Sequence, residues 1–366
     1  MTGKLVLENL KHRPMRSLLS ILLIGVPVTL ILCLVGLSHG MIADSQRRAR
    51  GSGADIVVRG SNARSVTSQS GAALPEKFLD YFAKRPHVAV VMGVVSHSAE
   101  LPLIVNGVDL DQFNRMSGGL HYLQGGPFRN SDDIILDRYY AEQTKKRVGD
   151  SIEVMNRTWR VCGIVEGGKL SHILVPLKVL QNLDSANGNL SQIYIKLDDP
   201  ANTQAVIGQL KQSLPGYPIW SMEELATQLQ ETVNSQGLHA FILVIMGIGV
   251  VIGFAVVCLS MYMAVLQRTR EIGILKSLGG SKGFILRIIL TEALLLGAGG
   301  TALGILMSFG ARYVIETFQP ASFQMEIVFS WWLRALAITL VAAILGALYP
   351  GLTAARHDPI EALAYE

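Results

Sequence analysis

Charge, cysteine and recognisable chemistry are all scarce in this 366-residue chain. Charged residues make up only 16% of it, while half of the residues are hydrophobic, so a membrane protein is the first class to consider. The small positive balance of +4 gathers near the apolar segments. That suits anchoring at an anionic lipid surface, whereas nucleic-acid binding gathers basic residues on one soluble face, so no nucleic-acid partner is expected. Of the three cysteines, Cys33 and Cys258 lie in apolar segments and Cys162 stands alone in the polar half, so there is no zinc spacing and no evident disulfide framework, and all three read as small apolar fillers. There is no His-Glu-x-x-His sequence. Gly279-Gly280-Ser281-Lys282-Gly283 holds the residue types of a phosphate-binding loop without its spacing or a preceding strand. Gly118-Gly119 and Gly125-Gly126 lack any nucleotide-binding context, and His39, His121 and His172 read as lone surface or interface residues. No nucleophile, base and orienting group can be assembled. The chain is therefore read as a non-enzyme with no metal site.

What the chain does have is long apolar runs. Ser17 to Leu37 carries no charge over about twenty residues, enough to cross a hydrocarbon core. It is too long for a signal-peptide core and no small-residue cleavage site closes it, so an uncleaved first span is expected, kinked but not ended by Pro27. Basic residues Lys4, Lys11, Arg13 and Arg16 precede it, which puts its start in the cytoplasm. Leu238–Leu266, Phe284–Phe309 and Leu333–Tyr349 supply three more spans, the last entered through the interfacial pair Trp331-Trp332. Four spans return the chain to its starting side.

Between the first and second spans lies ordinary globular sequence. Apolar runs at Asp55–Arg59, Val88–Val95, Leu103–Val105, Ile152–Val154, Trp159–Val165 and Ile193–Leu197 predict strands. Helical patterns at Pro75–Ala83, Arg138–Lys146 and Asn202–Ser213 separate them, and Asn106-Gly107 and Gly149-Asp150 read as turns. The mixture predicts an α+β extracytoplasmic domain. No breaker intervenes from Met41 to Arg50, so the first helix is expected to continue past the membrane until Gly51. Ser221 to Glu224 has capping-box spacing. A helix from there through Gly237 into the second span would cover about 65 Å against a core of about 30 Å. The excess would stand outside as a stalk; the alternative is two helices with a bend at Gly237.

Two features inside the membrane segments stand out. Gly300 and Gly304 have the spacing that lets two membrane helices approach closely. Glu292 is an acid within an apolar span, a candidate for a proton relay or for local pairing with Arg287 or a hydroxyl. The loop between the second and third spans is short, basic and amphipathic. Arg268, Arg270, Lys276 and Lys282 would hold it in the cytoplasm, and Ile272, Leu275 and Leu278 would form one apolar edge until Gly279-Gly280 stops the helix.

These residues carry a resemblance. The run Arg268-Thr-Arg-Glu-Ile-Gly-Ile-Leu-Lys-Ser-Leu-Gly-Gly-Ser281 resembles the loop between the second and third helices of MacB/FtsX-type (type VII) ABC transporter permeases. The tail Ala355 to Leu363 is similar to that family's ending, and Asp132–Val165 resembles its periplasmic core domain. The resemblance implies an α-helical membrane protein with four transmembrane helices and an α+β periplasmic core domain inserted between the first two. The corresponding segments are an amphipathic helix at 1–16, the first span at 17–40, its extension at 41–53 and the outer domain at 54–220. A stalk helix at 221–237, the second span at 238–266 and a coupling helix at 267–283 follow. The third span at 284–309, an outer loop at 310–330, the fourth span at 331–350 and a cytoplasmic tail at 351–366 complete the chain.

It further implies that Arg268, Arg270, Glu271, Ile272, Gly273, Leu275, Lys276, Leu278 and Gly279 dock on a separate ABC ATPase subunit, which binds the ATP and Mg. No cofactor is expected in this chain, which resembles lipoprotein-releasing and macrolide-exporter permeases and is expected to work with a separate rather than a fused ATPase domain. Expected partners are that ATPase, a second permease copy or paralogue, a periplasmic adaptor or carrier, and membrane lipids. The implied location is the bacterial inner membrane with both termini cytoplasmic. The implied activity is mechanotransmission, in which ATP-driven movement reaches the outer domain and drives export or extraction. A cell-division-type regulator that activates a cell-wall hydrolase is the alternative.

Overall fold

The computed structural model describes residues 14–61, 73–100, 103–235, 238–267, 274, 277, 281–319, 321 and 323–356. They divide into two compact units, one of membrane-type helices (Met1–His39, Leu238–Val314, Met325–Glu366) and one built on a sheet (Gly40–Gly237, Ile315–Gln324).

The first helix, α1 (Pro14–Arg50), is 37 residues long and passes from the first unit into the second, with Pro27 inside it. At 1.5 Å per residue it is about 55 Å long, well beyond a hydrocarbon core of about 30 Å. It ends where Gly51-Ser-Gly53 interrupts it, with Gly53 at φ +74°.

The sheet unit opens with β1 (Ile56–Arg59), β2 (Leu74–Pro75) and the short helix α2 (Phe78–Ala83). A long hairpin, β3 (Val88–Glu100) and β4 (Leu103–Val108), leads to α3 (Leu110–Ser117) and β5 (Tyr122–Gly125). Then come β6 (Asp133–Asp137), α4 (Arg138–Thr144), β7 (Ser151–Val154), β8 (Arg157–Val165), β9 (Ile173–Pro176) and α5 (Leu177–Leu183). The unit closes with β10 (Asn189–Leu190), β11 (Gln192–Leu197), α6 (Thr203–Ser213), β12 (Ile219–Ser221) and α7 (Met222–Ser235).

Ten strands form one mixed sheet in the order β12-β1-β11-β3-β4-β9-β6-β8-β5, with β7 paired to β8. β4 runs parallel to β9 and β6 parallel to β8, and the other pairs are antiparallel. Both faces are apolar, so central strands such as β6 read as continuous runs, whereas β7 alternates. One face carries Val105, Ile134, Leu136, Trp159 and Ile173 under α2, α4, α5 and α6. The other carries Val94, Val108, Ile135 and Leu174, covered by Phe113 and Met116 of α3, Met222 and Leu225 of α7, and Ala49 at the end of α1.

Local chemistry explains the joints. β7 and β8 meet through Met155 and Asn156, both at positive φ (58° and 55°), the signature of a two-residue turn whose twist matches its strands. Trp159 Nε1 donates to Val154 O at 3.0 Å across that turn, and the ring is fully buried. The reciprocal capping box forms: Glu224 N donates to Ser221 Oγ and Ser221 N donates to Glu224 Oε2, both at 3.0 Å.

The helical unit adds α8 (Leu238–Gln267), α9 (Lys282–Phe318) and α10 (Phe329–Arg356). With α1 they make four helices long and apolar enough to cross a membrane.

Several expectations need correction. Asn106-Gly107 is not a turn but the interior of β4, where the missing side chain of Gly107 admits α5: a Cβ there would meet Leu180 Cβ at 2.9 Å. Strands β6 and β9 escape the periodicity argument because they are short and continuously apolar, and helices α3 and α5 because eight and seven residues are too few for a helical period to show. Residues 310–318, expected in a loop, continue α9, since no breaker follows Gly310 until Pro320. Residues 315–324 then belong to the sheet unit. Residues 236–237 lie outside the described residues, and with them the question of whether α7 and α8 form one rod.

Candidate functional site

The basic loop between α8 and α9 holds the residues expected to dock on an ATPase. Arg268, Arg270, Glu271, Ile272, Gly273, Leu275, Lys276, Leu278 and Gly279 all lie outside the described residues. Between them, Ile274 and Ser277 are helical, with Ser277 Oγ donating to Ile274 O at 2.8 Å and Ile274 exposed. Ser281 closes the segment by capping α9, its Oγ accepting from Phe284 N at 3.2 Å.

Within the helical unit, Gly300 and Gly304 face α1. A Cβ at Gly300 would meet Ile24 Cγ2 at 2.5 Å, and one at Gly304 would meet Val28 Cγ1 at 2.7 Å and Gly25 O at 2.8 Å. The approach is close enough that the single hydroxyl hydrogen of Thr29 has two acceptors in reach, Gly25 O in its own helix (2.9 Å) and Gly304 O across the interface (3.1 Å). Two backbones meet because small residues let them. Gly346 of α10 makes a similar approach to α8, where a Cβ would lie 2.7 Å from Phe254 O. Glu292 is buried on α9 beside Ile289, Ala293 and Leu296, and Ser20 and Ser260 hydrogen-bond at 2.9 Å.

The sheet unit holds a polar cluster that sequence reading missed. Asp44, in the last turns of α1, pairs with Arg48 at 2.7 Å, one helical turn on. Arg48 also contacts His172 Nε2, which lies 3.7 Å from Asp44 Oδ2. The other ring nitrogen of His172, Nδ1, is 2.6 Å from Asp137 Oδ2 at the end of β6. Asp44, His172 and Asp137 are all buried. Buried charges persist only when paired and hydrogen-bonded, and each member here has partners. His172, read as a lone surface or interface residue, is thus a buried link between α1 and the sheet, whereas His39 and His121 are exposed. Asp137 could have been suspected as the N-cap of α4. Nothing in the sequence announces its meeting with residues 35 and 93 positions away.

The backbone around this cluster is equally tight. Leu170 N donates to Arg48 O at 3.2 Å, and a Cβ on Gly51 would sit 2.0 Å from Gly168 O. Lys169 Nζ donates to Ser117 O at 3.1 Å and to Gly119 O, and its burial pushes its pKa down. The β8–β9 connection is therefore held between the ends of α1 and α3.

On the opposite face, a cleft of about 620 Å³ opens between His97, Asp184, Glu153, Asn156 and Tyr140. His97 Nδ1 and Asp184 Oδ1 are 2.7 Å apart at its rim. Among the described residues no cluster of His, Cys, Asp and Glu could hold a metal ion.

Comparison with known proteins accounts for this layout. The family profile of the MacB-like periplasmic core domain matches residues 17–213, more than half of the chain, and that of the FtsX-like permease C-terminal region matches residues 243–359. The chain is 26% identical to the macrolide export ATP-binding/permease protein MacB of Shigella flexneri, over 96% of this chain and 58% of that protein. It is 27% identical to the protein of the same name from Salmonella paratyphi A, with the same coverage. It thus spans 58% of the length of these relatives. Among solved structures it is similar to the periplasmic region of MacB from Actinobacillus actinomycetemcomitans (17% identity, 51% of this chain and 96% of that one, TM-score 0.38). A second is the extracellular domain of the noncanonic ABC-type transporter YknZ from Gram-positive bacteria (15% identity, 45% and 98%, TM-score 0.34). Carrying both family regions in the expected order around a four-helix membrane unit, the chain belongs to the ABC transporter permeases with a MacB-like periplasmic core domain and an FtsX-like permease region.

Proposed function

We propose that this chain is the permease subunit of an inner-membrane ABC transporter whose ATP and Mg are bound by a partner ATPase. The loop from Arg268 to Lys282 docks on that ATPase, with Arg268, Arg270, Glu271 and Lys276 supplying charge and Ile272, Leu275 and Leu278 an apolar edge. Both termini lie in the cytoplasm, two permease chains pair, and movement started at the loop reaches the sheet unit along the membrane helices. There it drives export or extraction of a substrate outside the membrane.

The observation that supports this most is α1, which continues without interruption for 37 residues from the membrane-type unit into the sheet unit. Its backbone stays helical through Pro27 to Arg50, so displacement of its membrane part is carried into the sheet unit along one continuous element. At its end Asp44 and Arg48 meet His172, which Asp137 of the sheet holds, so the helix is tied to the sheet by buried polar contacts.

Arg268→Glu with Arg270→Glu tests the reading in the full permease copurified with its ATPase. Assembly and stimulation of hydrolysis should both be lost. Assembly and stimulation at the unaltered level would overturn it.

A further inference from the structure

The end of α1 and the segment after α9 hold the sheet unit from opposite faces. Ala49 of α1 packs on the face formed by Val94, Ile135 and Leu174. Ala321, three residues past the end of α9, is buried in the other face with Ile134, Leu136 and Tyr140. One short helix touches both arrangements. At its N-terminus, α4 is capped by Asp137 Oδ1, which accepts from Tyr140 N at 2.8 Å, while Asp137 Oδ2 holds His172, which meets Asp44 and Arg48 of α1. Toward its other end, Gln143 Oε1 of α4 accepts from Ala321 N at 3.0 Å, and Gln143 Nε2 reaches Gln319 Oε1 at 3.5 Å. A second link joins the same two segments directly, from Arg47 to Gln324 Oε1. Contacts run from Asp44 through His172 and Asp137 to the start of α4, and from Gln143 near its other end to Ala321, so the helix itself joins the two sets.

We infer that α4 is the relay through which displacement of the first and third membrane helices reaches the sheet, with Asp44, His172, Asp137 and Gln143 as positioning residues. The inference rests on the proposed coupling to an ATPase and specifies its path. Three features support it. The relay residues that face the sheet are buried, so they move with it rather than slide over it. α4 sits directly after β6, whose Ile134 and Leu136 point into one face and Ile135 into the other, so a shift of α4 is felt on both sides of the sheet. The two inputs converge on one seven-residue helix, which makes concerted movement of α1 and α9 the effective signal. Coupling is read from movement of the sheet unit itself.

The experiment uses the full permease with its partner ATPase in lipid nanodiscs, with Cys33, Cys162 and Cys258 replaced by alanine. Spin labels are attached through a clickable unnatural amino acid at Lys211 on the sheet unit or Leu306 on α9. Distances between the two permease copies are measured with and without trapped nucleotide. Both labels should respond in the parent protein. With His172→Gln and Gln143→Ala together, the Leu306 response should persist and the Lys211 response should fall to less than half. An undiminished Lys211 response would overturn the relay and leave the coupling reading standing. No response at Leu306 in the parent would overturn the coupling reading and the relay with it. A second variant, Gln143→Cys with Ala321→Cys, separates transmission from loss of fold. Its Lys211 response should be weak when reduced and recover when a short reversible thiol crosslinker joins the two positions. Failure to recover would overturn the relay.

Discussion

Asp137 holds His172 with one carboxylate oxygen, at 2.6 Å from Nδ1, and caps α4 with the other, which accepts from Tyr140 N at 2.8 Å. A single buried side chain therefore fixes both the start of a helix and the partner of a histidine that reaches α1. Asp137→Ala should cost about 3 kcal/mol: about 1 for the cap and about 2 for leaving the ring N–H without an acceptor. Asp137→Asn retains an oxygen for the cap and should cost less than the alanine change. Denaturant unfolding in detergent, followed by tryptophan fluorescence, would rank the two.

The contact between α1 and α9 is set by absence of side chains. Gly304→Leu would force its branch against Val28 Cγ1 and Gly25 O, where even a Cβ lies at 2.7 and 2.8 Å. The helices must separate, which breaks the Thr29 Oγ1 bond to Gly304 O as well. A loss of about 2–3 kcal/mol is expected. Gly310→Leu, where a Cβ meets nothing, should be nearly neutral. Thermal unfolding of the two variants in the same detergent checks the contrast.

Cys162 is half-buried on β8, and burial first, then the nearby Asp133 carboxylate, pushes its thiol from 9.0 up to about 12. Only the thiolate is nucleophilic, so at pH 8 its reactive fraction is about a thousandfold below that of an ordinary thiol. Iodoacetamide at pH 8 should leave Cys162 unmodified in the folded chain and label it fully after denaturation. Peptide mass spectrometry reads both.

Glu76 accepts from Lys178 Nζ at 2.8 and 2.9 Å, and this hydrogen bond holds its pKa below the ordinary 4.5 against a smaller opposing effect of burial. A carboxylate with a lowered folded pKa contributes stability above its unfolded value and loses it as pH falls through the folded one. Lys178 is largely exposed, so the contribution is at most about 1 kcal/mol. The stability difference between the parent and Glu76→Gln should be constant near neutrality, start to shrink below about pH 4.5 and vanish at lower pH. Paired melting curves from neutral to acid pH measure it.

Membrane segments were the most legible part of the sequence. Burial of an apolar helix in lipid depends on length and composition, which are local properties, and Ser17–Leu37 or Leu238–Leu266 states them in a single run. Gly300 and Gly304 were legible as a spacing, but that they would face Ile24 and Val28 was not. In the sheet unit, six strands and three helices declared themselves through periodicity. β6 and β9 did not, since short apolar runs buried on both faces carry no alternation. Asn106-Gly107 misled because the same dipeptide serves a turn or a strand that a helix approaches closely, and only Leu180 decides between them.

By itself the sequence determined what each segment could be: which runs enter lipid, where α1 must stop at Gly51 and Gly53, which serine caps α7, and which family profile the whole satisfies. The tertiary structure alone decided which distant groups meet. Asp44, Asp137 and His172 are individually ordinary residues in three separate stretches of the chain, and so are Gln143 and Ala321 in two others. Their pairing depends on how the strands order themselves in the sheet, because a buried charge takes its partner from whatever the fold sets beside it and leaves no periodic trace along the chain.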